Sequence, residues 1–489
     1  MILLEEEPKN KQKTPKRPKK RVSLLVYISS TLLALFVGIF MTILVIGLNN
    51  RTSQQLDSSA SGLNKISSVY QTISQQYYRK TDKTKLINGA IKGMIASLDD
   101  PYSEYLAGSD ASDLDNTISG SFEGIGAEIQ KKGNYIEIVS PIAGSPAKKA
   151  GLKANDIITA INGKSTAGWS ATKTTNKIRG KKNTKVTLTI KRGKQSFKVT
   201  LKRDVIPVKT VNARLDKKQP TIGYIQITSF SEPTFKEVKA AITKLRKQGA
   251  KSFVLDVRSN PGGIMQQALK ISSMFVANGK TLMQVKARTG KATVYRASKS
   301  LDGGFKVKEP VKVLIDDGSA SASEIFAAAL NQSANVELIG TKSFGKGTVQ
   351  QVSQLSKKSE FKITVAKWLT PNGSWINKRG LTPNITAKYP SYAYLPVVSD
   401  QKTYQLDDVA TPIKTLQKEL KAVGQDPGAI NGYFGQSTKQ AVTAFQAANN
   451  LDQTGKLDPT TIDKLQAAIT KKISANDVAY NKAIEQLSK

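Results

Sequence analysis

Residues 318–325 read Gly318-Ser319-Ala320-Ser321-Ala322-Ser323-Glu324-Ile325, and they come just after the apolar run Val311–Ile315. Small residues let a chain turn sharply from a strand into a helix. A serine at such a turn presents its hydroxyl above the sheet edge, beside free backbone N–H groups. Outward from this unit, Ile222–Ile227 and Phe253–Val257 are further apolar strand candidates, with helical stretches between them. From Thr221 to about Ala387 the alternation of strands and helices predicts α/β layering.

Two more stretches carry chemistry. Phe344-Gly345-Lys346-Gly347-Thr348-Val349-Gln350 places a lone lysine between glycines, ahead of another strand. Leu255-Asp256-Val257-Arg258-Ser259-Asn260-Pro261-Gly262-Gly263 is a strand followed by a Pro-Gly-Gly turn. Amides of Gly262 and Gly263, with that of Ala322, are candidates to hold an oxyanion, and one such donor is worth about 3–4 kcal/mol in a transition state. Taken alone, the serine run also fits a flexible turn or helix cap. The Phe-Gly-Lys-Gly run also fits a hairpin or phosphate-binding turn, although it lacks the ending of a P-loop.

Composition narrows the chemistry. The 489 residues include no cysteine and no histidine. Disulfides, thiolate nucleophiles and zinc–thiolate sites are excluded, as is the usual imidazole base. A serine hydroxyl needs a base, and Lys346 is the natural one. It must be neutral to act. Bringing its ordinary pKa of about 10.4 toward neutrality costs about 3–4 kcal/mol, which burial in a dry pocket can supply. Gln350, four residues on, is a candidate to orient the amine without adding charge. No metal or organic cofactor is required.

The formal net charge of +37 fits either a solvated basic surface that keeps the protein soluble or residence beside a polyanion, and charge alone does not decide between them. No nucleic-acid-binding signature is present, so a membrane or an anionic cell wall fits better. Residues 1–21 are rich in Lys and Arg, and 22–48 carry no charge. A helix of that length, about 40 Å, crosses a bilayer. Lys19, Lys20 and Arg21 before it keep the amino end in the cytoplasm. A cleavable signal peptide is the rival reading, but its apolar core is normally shorter. Residues 49–65 read as a linker. From Ile66 to Leu106 the spacing is helical, with Val69, Ile73, Ile87, Ile91 and Ile95 as anchors. This segment is a candidate homodimer contact. Strand candidates Tyr135–Val139, Asp156–Ile161, Val186–Lys191 and Phe197–Leu201 follow.

With the three catalytic stretches in this order, the chain resembles the carboxyl-terminal processing, or tail-specific, proteases over roughly 60–390. The resemblance includes Ser97-Leu98-Asp99-Asp100-Pro101-Tyr102-Ser103-Glu104-Tyr105-Leu106. It implies Ser321 as nucleophile, Lys346 as general base and Gln350 as its assistant. Ser319 and Ser323 are read as turn and cap residues, and Glu324 as an acid of the first helical turn. Segment 119–205 resembles a PDZ domain, with Gly124, Ile125 and Gly126 in the loop that captures a peptide carboxylate and a substrate strand added beside Ala127–Gln130. Arg179, ending the PDZ helix, is a candidate sensor of peptide occupancy, or simply a cation favoured at a helix end. Residues 409–468 resemble a peptidoglycan-binding three-helix module, with Ile413, Leu416, Gln417 and Leu420 on one face and Gly428–Gly435 as its loop.

The fold class implied is multidomain. It joins a single N-terminal transmembrane helix, a β-rich PDZ domain inserted in an α/β (α+β) serine protease, and a C-terminal all-α peptidoglycan-binding domain. The expected boundaries are 1–21 cytoplasmic tail, 22–48 span, 49–65 linker, 66–118 helical segment of the protease, 119–205 PDZ, 206–388 protease, 389–408 linker, 409–468 wall-binding module and 469–489 tail. The function implied is a single-pass extracytoplasmic serine endopeptidase acting on free protein tails. The alternative from another class is a catalytically idle scaffold that tethers tails to peptidoglycan.

Overall fold

The computed structural model describes residues 62–356, 359–399 and 401–489. The expected span 22–48 and the basic segment before it lie outside these. Among the described residues no helix is long and apolar enough to cross a membrane. The chain divides into two compact units, one ending at Leu98 and the other running Asp99–Lys489.

In the first unit, 62–76 is helical. A second helix, Lys83–Ala96, is capped by the Asp82 carboxylate. Ile66, Val69, Tyr70, Ile73, Leu86 and Ile87 line a cleft of about 400 Å³, and Val69 and Ile87 remain exposed. The helical spacing expected as far as Leu106 does not persist. Glu104–Ala107 is a strand antiparallel to Ser359–Leu369. Pro101 disfavours continued helix, and the Asp100 carboxylate instead takes the Tyr102 N–H and the Ser103 hydroxyl in a turn.

The second unit begins with that strand and the helix Ser109–Ser119. Next comes a neck of two antiparallel strands, Ser121–Gly124 and Asp204–Pro207. Everything between them forms one β-rich domain, so its entry and exit lie side by side. Its sheet runs Ala127–Lys132, Tyr135–Pro141, Ile157–Ile161, Lys185–Arg192, Gln195–Lys202 in spatial order. The inward residues of these alternating strands, Ile136, Ile138, Ile158, Leu188 and Ile190, make its core. Buried Arg203 caps the helix Ala171–Ile178 by donating to the carbonyls of Lys177 and Ile178.

The α/β layer is a six-stranded sheet in the order Val211–Leu215, Ile222–Ile227, Ser252–Asp256, Val311–Ile315, Leu338–Gly340, Ile385–Thr386. Only the first pair is antiparallel. Both faces are apolar, as parallel sheets require. Phe253, Leu255, Val313 and Ile315 pack under the helices Thr234–Lys247, Met265–Phe275 and Ala322–Ala334. The opposite face, Ile222, Val254, Leu314 and Ile339, is covered by Ala479, Tyr480 and Ala483. Residues 469–489 were expected as a tail. They instead complete the helix Pro459–Ala475 and form the helix Val478–Leu487.

Helices Thr411–Ala422, Gln436–Ala448 and Pro459–Ala475 enclose Ile413, Leu416, Leu420, Phe434, Val442, Phe445 and Leu465. Buried Gln417 holds the Gly428–Gly435 loop through the Gly432 N–H and the Tyr433 carbonyl. Gln446 does the same for the next loop through the Gly455 N–H and the Lys456 carbonyl.

Candidate active site

Two tight turns meet at the carboxyl ends of neighbouring parallel strands. Asp316 joins them, its carboxylate accepting the N–H of Ser259 at 2.7 Å and of Gly318 at 3.0 Å. A side chain on Gly318 would collide with Ser259, whose Cα lies 2.7 Å from the Cβ it would carry. The Ala320 N–H donates to the Asn260 carbonyl at 3.0 Å.

The three serines of the run have distinct fates. Ser319 is buried and its hydroxyl donates to the Val257 carbonyl at 2.8 Å. Ser323 is buried and donates to the Asn260 carbonyl at 2.8 Å. Both brace the serine turn against the glycine turn. Ser321 is half-buried, at the start of the helix Ala322–Ala334, with φ 53° and ψ −111°. That conformation costs a non-glycine residue about 1–3 kcal/mol.

Glu324 is fully buried. Its Oε2 accepts the N–H of Ser321 and the N–H of Lys346, each at 2.9 Å. Its Oε1 accepts the Ser343 hydroxyl at 2.6 Å and the Gly345 N–H at 2.7 Å. One carboxylate therefore fastens the serine turn to the lysine loop. The expectation of a simple first-turn acid missed this, since nothing local to Glu324 shows partners some twenty residues away.

The lysine loop is held from outside as well. Trp368 Nε1 donates to the Lys346 carbonyl, and Trp375 Nε1 to that of Gly347, both at 2.8 Å. The flanking glycines are dictated by space: a Cβ on Gly345 would lie 2.8 Å from Gly380 N, and one on Gly347 2.8 Å from Asn377 N. The Lys346 amine lies 4.7 Å from the centre of the Tyr102 ring. No hydrogen bond joins Lys346 Nζ to Ser321 Oγ among the described residues. Burial holds the lysine pKa below its ordinary value, and the positive charge of Lys362 pushes the same way, against the carboxylates of Asp100, Glu104 and Glu324. Gln350 sits on the following strand, its amide donating to the hydroxyls of Thr348 and Thr364 at 2.9 and 3.1 Å.

Of the candidate oxyanion donors, the Gly262 N–H is committed to Asn260 Oδ1 at 2.9 Å. Gly263 meets Phe230 in an isolated bridge made by the Phe230 N–H to the Gly262 carbonyl and the Ile264 N–H to the Phe230 carbonyl, which does not use the Gly263 N–H. Gly262 is pressed against the serine. A Cβ there would lie 3.0 Å from Ser321 Cβ and 2.9 Å from Ala322 N.

A family model described as Peptidase family S41 matches 221–387, and a PDZ domain model matches 137–192. A model for a putative peptidoglycan binding domain matches 410–465, and one for the N-terminal domain of the activating protease CtpB matches 45–109. The carboxy-terminal processing protease CtpA of Bacillus subtilis is 46% identical over 460 residues, covering 94% of this chain and 97% of that protein. A probable CtpA-like serine protease of Staphylococcus epidermidis is 36% identical, covering 98% of this chain and 97% of the relative. One from Staphylococcus aureus is 37% identical, covering 93% and 90%. The chain belongs to the carboxy-terminal processing proteases of peptidase family S41.

In this protease the PDZ loop Gly124-Ile125-Gly126 is buried and shaped by Ser145, whose hydroxyl donates to the Gly126 carbonyl at 2.9 Å. The Ile125 carbonyl accepts the Ala147 N–H at 2.8 Å. Strand Ala127–Lys132 is at the edge of its sheet, leaving a row of backbone groups for an added strand. Arg179 ends the PDZ helix, lies 5.4 Å from the Phe122 ring centre, and pairs with Asp113 of the helix Ser109–Ser119 at 2.7 Å. Asp113 is exposed and Arg179 half-buried, so the solvent-screened pair is worth about 0–1 kcal/mol.

Proposed function

We propose that this serine protease is anchored by 22–48 with its catalytic and wall-binding modules outside the cytoplasm, and that it cleaves protein tails with Ser321 and Lys346. The PDZ edge strand takes the carboxyl end of an unfolded substrate. Ser321 attacks a peptide carbonyl upstream and forms an acyl-enzyme, while Lys346 accepts the serine proton and passes it to the leaving amine. Gln350 steadies the lysine. The N–H groups of Gly263 and Ala322 receive the oxyanion, and water releases the acyl group. Envelope proteins near peptidoglycan are the substrates.

The observation that carries this reading is the sorting of the serines. Ser319 and Ser323 spend their hydroxyls on backbone carbonyls, whereas Ser321 stands strained at the helix start. Through Glu324 it shares one oxygen atom with the backbone of a desolvated lysine. The amine resting on Tyr102 marks a waiting arrangement, in which a ring face favours the charged form. Substrate arrival then moves the amine to the hydroxyl.

The test is hydrolysis of an unfolded, β-casein-like substrate by the full chain, with Ser321→Ala and Lys346→Ala beside it and peptidoglycan fragments in parallel. Both variants should be inactive yet fold normally. Activity in Ser321→Ala, or none in the parent, would overturn the assignment, the latter in favour of an idle scaffold.

A further inference from the structure

The chain leaves the catalytic sheet after Ile385–Thr386, builds the three-helix module, and then returns. At the return point Asp477 caps the helix Val478–Leu487 by accepting the Tyr480 N–H at 3.0 Å. Its two oxygens also take Nη1 and Nη2 of Arg258 at 2.7 and 2.6 Å. Such a two-toothed pair fixes a guanidinium in plane and direction. The rest of Arg258 is equally held: Nη2 donates to Asp256 at 2.6 Å, Nε to Asp256 at 3.0 Å, and Nη1 to the Tyr389 hydroxyl at 2.9 Å. The arginine side chain is only 13% exposed. Burial pushes the Asp477 carboxyl up, but the hydrogen bonds and charge of Arg258 outweigh it and hold the group below the usual carboxylate range.

Arg258 stands at the head of the glycine turn. Two residues on, Asn260 spans the turn by donating to the Ile227 carbonyl at 2.8 Å and accepting the Gly262 N–H. Gly262 is the residue pressed against Ser321. A line of direct contacts thus runs from the carboxyl-terminal helix through Arg258 and its turn to the serine. The helix has a second attachment whose hydrogen bond bypasses Arg258: the Tyr480 hydroxyl donates to Asp216 at 2.7 Å, while the ring packs edge-on against Tyr224 at 5.2 Å, whose own hydroxyl donates to Asp256.

We propose that Asp477 is a positioning residue of the protease. By clamping Arg258 it fixes the glycine turn against Ser321, so the segment beyond the wall-binding module is part of the catalytic unit. The three-helix module is therefore an insertion anchored at both ends in the protease rather than a terminal appendage. The inference rests on the reading of Ser321 as nucleophile given above.

The experiment uses the full chain in detergent micelles, with Asp477→Asn, Asp477→Glu, Tyr480→Phe and Ser321→Ala, each measured by casein turnover and by thermal melting. In Asp477→Asn, an amide N–H₂ replaces one acceptor facing the guanidinium. With rates corrected for the folded fraction, kcat should fall roughly tenfold or more while KM stays within about threefold. Asp477→Glu should recover much of the loss. Tyr480→Phe should lower the melting temperature with kcat within about twofold. The proposal is overturned if Asp477→Asn keeps kcat within about threefold of the parent, if Tyr480→Phe loses kcat equally, or if glutamate restores nothing. Residual activity in Ser321→Ala would sink the nucleophile reading itself. A dead Ser321→Ala beside a fully active Asp477→Asn would sink only this one.

Discussion

Replacing Glu324 by glutamine tests whether one carboxylate holds the serine turn and the lysine loop together. The native group accepts four hydrogen bonds, two on each oxygen, from Ser321 N–H, Lys346 N–H, Ser343 Oγ and Gly345 N–H. It is fully buried, so no water stands by to replace it. Glutamine keeps the shape but turns one oxygen into a donor. Whichever way the amide faces, two donors lose their acceptor. A buried donor left unpaired costs about 1–3 kcal/mol, so the pair together cost about 2–6 kcal/mol before relaxation. If about half of that appears as mispositioning of serine against lysine, the rate falls roughly tenfold to a hundredfold at about 1.4 kcal/mol per decade. The loss should be in kcat, because the PDZ edge strand that takes the tail is untouched. The assay is steady-state cleavage of an unfolded substrate by the full chain, with a thermal melt to show the variant folded. Should Glu324→Gln turn over within about threefold of the parent while folded, the carboxylate is not what unites the loops.

Gly262→Ala would place a methyl 2.7 Å from the Ala320 carbonyl oxygen on a residue at φ 104°, and cleavage should drop at least about a hundredfold, read as kcat/KM. Lys362→Ala removes a positive charge that depresses Lys346 and frees Glu104, its partner at 2.5 Å, to act on the same amine. Both changes raise the lysine pKa, so the rise of kcat with pH should move to higher pH, with the plateau height kept. In the wall-binding module, burial pushes the Glu419 carboxyl up to about 7, and its Oε2 has no hydrogen-bond partner. A carboxyl raised on folding favours the fold while it stays protonated. That contribution is whole below the unfolded value near 4.5 and is lost as pH rises through about 7. Melting of the module should therefore weaken between these limits by at most about 3 kcal/mol, and Glu419→Gln should flatten the profile.

Local pattern made the α/β layer legible, and distance in the chain hid the rest. Strands Ile222–Ile227 and Val311–Ile315 appear with the bounds their apolar runs predict, because a strand buried on both faces can use little but apolar residues. Ser319 keeps the turn role expected of it by accepting the Asp316 N–H at 3.0 Å, but Ser323 is not the cap: Ser321 holds that place, and the Ser323 hydroxyl donates to the Asn260 carbonyl on the other turn. The expected donor Gly262 is compromised by Asn260 two residues earlier. That short-range side-chain-to-backbone turn was visible in the spelling Asn-Pro-Gly, had its asparagine been given an acceptor's role. The partners of Glu324, the ring beneath Lys346 and the grip of Asp477 on Arg258 had no such signal. Each joins residues separated by many turns of chain, and a single sequence records only that a charged residue is present. The closing helix is the sharpest case. Ala479, Tyr480 and Ala483 recur at helical spacing, but so small an apolar stripe among lysines and glutamates reads as a tail until the uncovered face of the sheet is counted. A parallel sheet with one bare face is not a stable layer. The helices Thr234–Lys247, Met265–Phe275 and Ala322–Ala334 cover a single face of this one. The demand for a second cover therefore follows from the fold itself, and residues 478–487 meet it at the strand whose next turn holds the serine.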